Sequence, residues 1–345
     1  MLSDRYELGE KLGDGGTYEV YRGRDVMLGR EVAVKVLRAD RAHDPQFLLR
    51  FRREAQTTAS LNHPAIVALY DTGETRSEYG PLPYIVMEYV DGRTLRDIVK
   101  TEGPLLPRRA VEIMADVCAA LDFSHRNGII HRDVKASNVM LTHTGAVKVM
   151  DFGIAKSAGG NHMTITGVLI GSVECMSPEQ ARGEAANARS DVYGSGCLLY
   201  RLLTGEPPFD GDSPIAVAYQ HVREDPRPPS SLNPRLGREL DAVVLKAMSK
   251  NPANRYQSAA EMRLDLALVL SGKRPNAPLV LTDHERAFLT APPAAGTIPG
   301  QHRRKARMPE NTNEVRNSRK YNVARIALLI VVILVLGALL SYLLI

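Results

Sequence analysis

The chain has 345 residues, 44% of them hydrophobic and 24% charged, with a formal net charge of +5. That composition is globular, and the length allows one large domain or two ordinary ones with a sizeable core. The charge is local: eight Lys/Arg between Gln301 and Arg325 face only Glu310 and Glu314, a surplus of +6 that leaves −1 elsewhere, so a general nucleic-acid footprint is excluded.

The N-terminus, Met1-Leu2-Ser3-Asp4-Arg5, lacks an apolar run, and no signal peptide is expected. Cys118, Cys175 and Cys197 are an odd number without metal-ligand spacing, which fits a reducing cytoplasm better than a disulfide framework. From Tyr6 to Val90 short β-rich runs alternate (Tyr6-Glu7-Leu8, Glu19-Val20-Tyr21, Val32-Ala33-Val34, Tyr84-Ile85-Val86-Met87), interrupted by a helical stretch from Gln46 to Leu61. After Val90 the pattern turns helical. Val111, Met114, Cys118, Leu121 and His125 share one stripe, and Leu198 to Leu203 belong to a helix apolar almost all round. Ser258 with Glu261 reads as a capping box, and Gly272 closes that helix. The expectation is an α+β fold: a small β-rich lobe, then a larger helical lobe, with a cleft near Val90.

Within the β-rich part, Leu12-Gly13-Asp14-Gly15-Gly16-Thr17-Tyr18-Glu19-Val20 is a glycine-rich turn between two strands. Such a turn lets backbone N–H groups approach phosphate oxygens unobstructed by Cβ atoms, although glycine turns in hairpins are common. Val32-Ala33-Val34-Lys35 follows, and Lys35 with Glu54 on the helical stretch makes the Lys–Glu ion pair that positions a nucleotide. Then come His131-Arg132-Asp133-Val134-Lys135-Ala136-Ser137-Asn138 and Asp151-Phe152-Gly153.

Together these four pieces, in this order, resemble the protein kinase family over about residues 5–272. The resemblance implies the two-lobed kinase fold, an N-lobe of about 1–90 and a C-lobe of about 91–272, and ATP with Mg²⁺ (or Mn²⁺) as cofactors. It implies that Asp133 accepts the proton of the attacking hydroxyl. Lys135 would neutralise the transferred group, as in Ser/Thr kinases, and Asn138 and Asp151 would hold the metal. Residues 12–20, Ala33 and Lys35 would enclose the nucleotide, with Val20 and Ala33 on the adenine. Met87 would stand behind it as gatekeeper and Glu88, Tyr89 and Val90 would supply hinge backbone. Glu179 of Ser177-Pro178-Glu179 would pair with Arg255, and Asp191 would cap the catalytic-loop backbone. Thr164 and Thr166 would be activation-loop phosphosites facing Arg132, whereas Thr142 and Thr144 read as a turn between strands.

A narrower resemblance rests on residues 2–10 (Leu2 to Glu10), 83–92 (Pro83 to Gly92) and 218–226 (Ala218 to Pro226), which look like the mycobacterial receptor-type Ser/Thr kinases that carry PASTA repeats. It implies autophosphorylation, a homodimer through the N-lobe, protein substrates with Ser/Thr, and control of growth, division or cell-wall synthesis. Several residues depart from the pattern. Tyr18 stands where kinases carry Gly or Ser, and its ring is expected to stiffen the flap or to project into solvent. Ala136, Ser172, Cys175, Gly194, Ser195 and Arg201 replace the usual Pro, Thr, Tyr, two helix residues and Glu. Gly194 is expected to weaken its helix and leave an apolar side chain missing. None deletes a catalytic group, and together they predict a less stable or less active enzyme.

Residues 273–325 read as a basic juxtamembrane linker, and 326–345 carry no charge. Twenty apolar residues in a helix span roughly 30 Å, the thickness of a bilayer core. The basic side is cytoplasmic by the positive-inside rule, so the expectation is a single-pass cell-membrane protein with a cytoplasmic kinase domain, in contact with lipid through 326–345. Gly337 and Ser341 offer a weak small-residue seat for a partner helix. No PASTA segment follows Ile345 in the sequence. A pseudokinase scaffold and a small-molecule phosphotransferase are the alternative readings.

Overall fold

The computed structural model describes residues 1–41, 44–77, 80–152 and 173–279. Thr164, Thr166, Ser172, Gly153, most of the linker and the apolar stretch 326–345 lie outside them. Residues Met1–Thr282 form one compact unit.

The first strands are β1 (Tyr6–Asp14), β2 (Tyr18–Asp25) and β3 (Arg30–Leu37), each antiparallel to the next. Helix α1 (Pro45–Ala59) interrupts before β4 (Leu69–Ser77) and β5 (Gly80–Glu88) complete a sheet ordered β1-β2-β3-β5-β4. The alternation that marked β3 and β5 in the sequence is real burial: Val32, Val34, Tyr84 and Val86 fill the core on one face, while Leu37, Phe51, Ala55 and Ile85 pack under α1 on the other. Strand β4 escaped the sequence reading because it is a polar edge strand, Leu-Tyr-Asp-Thr-Gly-Glu-Thr-Arg-Ser, with no apolar alternation to detect. Pro81 and Pro83 are tolerated in β5 because that end pairs with β4 only; pairing with β3 begins at Tyr84.

The chain then enters a helical part. A three-stranded sheet of β6 (Gly92–Thr94), β7 (Val139–Thr142) and β8 (Val147–Val149) lies beside α2 (Leu95–Glu102) and α3 (Pro107–Arg126). Thr142 and Thr144 make the β7–β8 turn, their hydroxyls 2.9 Å apart. After the short α4 (Pro178–Ala181) come α5 (Ala188–Thr204), α6 (Pro214–Arg223), α7 (Arg238–Ala247) and α8 (Ala259–Leu270). Val111, Met114, Cys118 and Leu121 on the α3 stripe are buried, and from Ser190 to Leu203 only Arg201 of α5 escapes full burial. Helix α5 is thus the post around which α3, α7 and α8 pack. At α8, Ser258 Oγ accepts the Glu261 N–H at 3.1 Å, but the Glu261 carboxylate reaches back to the Gln257 N–H, at 2.8 Å, rather than to Ser258. Among the described residues no helix is long and apolar enough to cross a membrane.

The void expected at Gly194 is absent. A Cβ there would lie 3.1 Å from Val134 Cβ and 3.2 Å from the Val134 carbonyl, so the missing side chain makes room for the loop that carries Asp133. Ser195 is buried with its hydroxyl donating to the Asp191 carbonyl at 2.8 Å, so the hydroxyl it brings into the helix is paired.

Candidate active site

Between the two lobes lies a cleft of about 570 Å³. Of the residues expected around a nucleotide, Leu12, Gly13, Val20, Ala33, Lys35, Met87, Glu88, Tyr89, Val90 and Asp151 line it. Others turn away. The Asp14 carboxylate pairs with Lys11 at 2.7 Å and Arg38 at 2.9 Å, and Glu19 pairs with Lys11 at 2.7 Å, all at the surface of the hairpin. Of the nine flap residues 12–20, Asp14 to Glu19 are outside the cleft lining. Val67, Met140 and Met150 line it too and were not read from the sequence. Met140 carried a signal nonetheless: it alternates with Asn138 along a run leading into a strand.

Lys35 is 1% exposed, yet its ammonium is not isolated. It donates to Glu54 Oε1 at 2.6 Å and to Asp151 Oδ1 at 3.0 Å, which joins β3, α1 and the end of β8 in one ion cluster. Burial opposes the charge on Lys35, but Asp151 and Glu54 outweigh it and raise the ammonium above its ordinary value. Burial, reinforced by the Asp151 charge, raises the Glu54 carboxyl against the pull of Lys35. The Tyr18 ring also joins the cluster, 3.6 Å from Lys35 Nζ to its centroid. Of the two directions expected for this side chain, projection into solvent does not hold: the ring turns inward, between Gly15 of the flap and Lys35. The Asp151 charge, opposed by Lys35 and aided by burial, pushes its phenol up to about 12.

On the C-lobe side, Asp133, Lys135 and Asn138 meet. Lys135 Nζ lies 2.7 Å from Asp133 Oδ2, and Asn138 Nδ2 donates to the Asp133 carbonyl at 2.9 Å and to its Oδ2 at 3.2 Å. The Asn138 carbonyl accepts the Met150 N–H at 2.9 Å, which sets the amide of Asn138 beside the backbone leading to Asp151. An amide oxygen and a carboxylate with one oxygen left over from Lys35 are hard donors. Two such protein ligands, with phosphate oxygens completing the shell, fit a Mg²⁺ ion.

The loop is held from below. Asp191 at the start of α5 accepts the N–H groups of His131 and Arg132, both at 2.7 Å, and contacts His125 Nε2 at 2.7 Å. His131 is fully buried; burial lowers its pKa, and as the neutral ring it accepts the Asp133 N–H at 3.2 Å while Nε2 donates to the Met150 carbonyl at 3.1 Å. Gln180 on α4 donates to the Arg132 carbonyl at 2.9 Å, a tie the sequence did not reveal. Glu179 and Arg255 form the expected pair as a two-pronged fork, 2.8 and 2.9 Å, with Ser190 donating to the same carboxylate at 2.6 Å. Arg201, where a Glu is usual, meets Glu174 of the segment before α4 at 2.7 Å. Cys175 is half-buried against the core.

A family model for the protein kinase domain matches residues 6–265. The chain is 65% identical over 301 residues to the serine/threonine-protein kinase PknB of Mycobacterium tuberculosis, which covers 87% of this chain and 48% of that relative. The PknB of Mycolicibacterium smegmatis is 67% identical over 296 residues, 85% of this chain and 47% of its own. The chain therefore spans about half the length of the curated relatives it matches. Among solved structures, the Mycobacterium tuberculosis PknI kinase domain superposes with a TM-score of 0.60 at 28% identity, over 77% of this chain and 96% of that one. Motif, fold and relatives converge: the chain belongs to the protein kinase family.

Proposed function

We propose that this chain is a Ser/Thr protein kinase that transfers the ATP γ-phosphoryl group to hydroxyls of proteins, its own activation loop included. The observation that carries this reading is a pair of clusters, Asp133 with Lys135 and Asn138 and Lys35 with Glu54 and Asp151, linked where the Asn138 backbone carbonyl accepts the N–H of Met150, the neighbour of Asp151. Asp133 accepts the hydroxyl proton and aims the oxygen at the phosphorus. Lys135, on the same carboxylate, balances charge on the group in flight. Glu54 orients Lys35 toward the phosphates. Asn138 and Asp151 would hold Mg²⁺, which supplies charge neutralisation when bound. Val20 and Ala33 cover the adenine, with the backbone of 88–90 at its edge. The complete residue set does not favour a scaffold without turnover.

Thr164 and Thr166 are the proposed phosphosites, with Arg132 beside the catalytic loop as the cation for the phosphate. The apolar stretch 326–345 serves as a membrane anchor behind a basic linker, the kinase domain lies on the cytoplasmic side, and the N-lobe is the homodimer surface. The charge-free run 326–345 and the basic run before it support the anchor and its orientation; the homodimer and substrates in growth and cell-wall control rest on the resemblance of residues 2–10, 83–92 and 218–226 to the receptor-type kinases.

The test is incubation of the full-length chain with labelled Mg-ATP, followed by mapping of phosphate to Thr164 and Thr166. Wild type should incorporate label and Asp133→Asn should not. Equal labelling of the two would overturn the assignment.

A further inference from the structure

An ammonium has three N–H groups, and around Lys35 three acceptors account for them: Glu54 Oε1 at 2.6 Å, Asp151 Oδ1 at 3.0 Å, and the face of Tyr18 at 3.6 Å. Tyr18 is the first residue of β2, just past the turn made by Gly16 and Thr17. The Gly15 N–H donates to the Tyr18 carbonyl at 2.9 Å, and a Cβ on Gly15 would lie 3.4 Å from the ring edge. The ring is therefore held between flap backbone and ammonium. That is the space in which the flap and Lys35 would grip a polyphosphate. The other end of the cleft, lined by Val20, Ala33, Met87 and Val90, is open.

We infer that Tyr18 is a nucleotide-discriminating residue whose ring covers the side of Lys35 that a polyphosphate would take, so that a nucleoside triphosphate must displace it whereas a ligand confined to the adenine end need not. The inference rests on the reading of the cleft as an ATP site. A phosphate oxygen and the ring compete for the same side of Lys35. Binding of the triphosphate breaks a desolvated cation–π contact before its own charge-assisted bonds form, and that loss is subtracted from its affinity. Adenosine leaves the contact in place. Residue 18 thus sets the ratio of triphosphate to nucleoside affinity, chiefly through the ring that covers Lys35.

Calorimetric titration of the full-length chain with adenosine and with the Mg²⁺ complex of a non-hydrolysable ATP analogue tests this on wild type, Tyr18→Gly, Tyr18→Ser and Tyr18→Phe. Gly and Ser at residue 18 should tighten the triphosphate analogue roughly tenfold, equivalent to about 1.4 kcal/mol, and leave adenosine unchanged. Tyr18→Phe should keep the wild-type ratio. An unchanged ratio in both the Gly and Ser variants, a parallel shift of both ligands, or a Phe variant that behaves like Gly would each overturn the inference while leaving the ATP site standing. Failure of all four proteins to bind either ligand would remove the ATP site and the inference together.

Discussion

The N–H of Arg132 donates to Asp191 Oδ1 at 2.7 Å, and Arg132 stands at φ +67°, in the left-handed region that residues other than glycine rarely adopt. The bond and the strain belong together. A conformation that costs of order 1–3 kcal/mol persists only where its surroundings over-determine it, and a buried carboxylate that also takes the His131 N–H does so. The buried start of α5 thereby fixes the backbone of the loop that carries Asp133.

Asp191→Asn should therefore damage both folding and turnover. An amide offers one acceptor where the carboxylate offered two, so one of two backbone N–H groups loses its partner, at about 1–3 kcal/mol. Denaturant melts should show the loss, and phosphoryl transfer by the folded fraction should fall as well. Full activity in a destabilised variant would mean that the loop holds its shape without Asp191.

Arg255→Ala should cost about 3–5 kcal/mol, because it strands the buried Glu179 carboxylate and the carbonyls of Ser249, Arg189 and Lys250 that the guanidinium also serves. Arg255→Lys should not restore stability, since an ammonium cannot reproduce the planar fork. Burial pushes Glu179 up, but the Arg255 and Ser190 hydrogen bonds win and hold it below the usual carboxylate value of 4.5. A depressed carboxyl stabilises the fold above that value, and the gain disappears as pH falls through the folded-state value. Wild type should lose stability in this acid range, and Arg255→Ala should show a flatter acid limb; a parallel limb would deny Glu179 that role.

Lys35→Met should abolish turnover and leave Glu54 facing Asp151 without a cation. Glu54 is already raised, and removal of the ammonium raises it further. The folded chain then binds more protons than the unfolded chain above the ordinary value of 4.5, so stability drops as pH climbs toward the folded-state value. Thermal melts should place the variant below wild type by about 1–3 kcal/mol at pH 8 and closer to it at pH 5. A gap that widens toward acid would contradict the sign.

Arg201→Glu should set two carboxylates face to face across the Glu174 contact. Glu174 is 43% exposed and Arg201 19%, so solvent screens the pair and the cost is about 1 kcal/mol. Adding Glu174→Arg should recover most of it. Additive losses in the double variant would show that the contact carries no coupling energy.

The chemical groups were legible early because kinase chemistry fixes their order and local spacing. Lys135 and Asn138 sit two and five residues after Asp133, so one loop and the turn of 3₁₀ helix at Ala136–Asn138 bring all three together. Burial periodicity likewise marked β3, β5, α3 and α5. Strand β4 was missed for want of periodicity, and Gly194 was misread because its neighbour, Val134, lies far off in sequence.

By itself, then, the sequence determined which side chains are available for phosphoryl transfer and which segments bury an apolar face, since both are local properties of composition and spacing. Only the tertiary structure decided that Tyr18 turns inward onto Lys35, that Arg201 finds Glu174, and that Gly194 admits the catalytic loop. Those outcomes depend on what stands opposite a residue after folding, and contacts between distant segments leave no periodic trace along the chain.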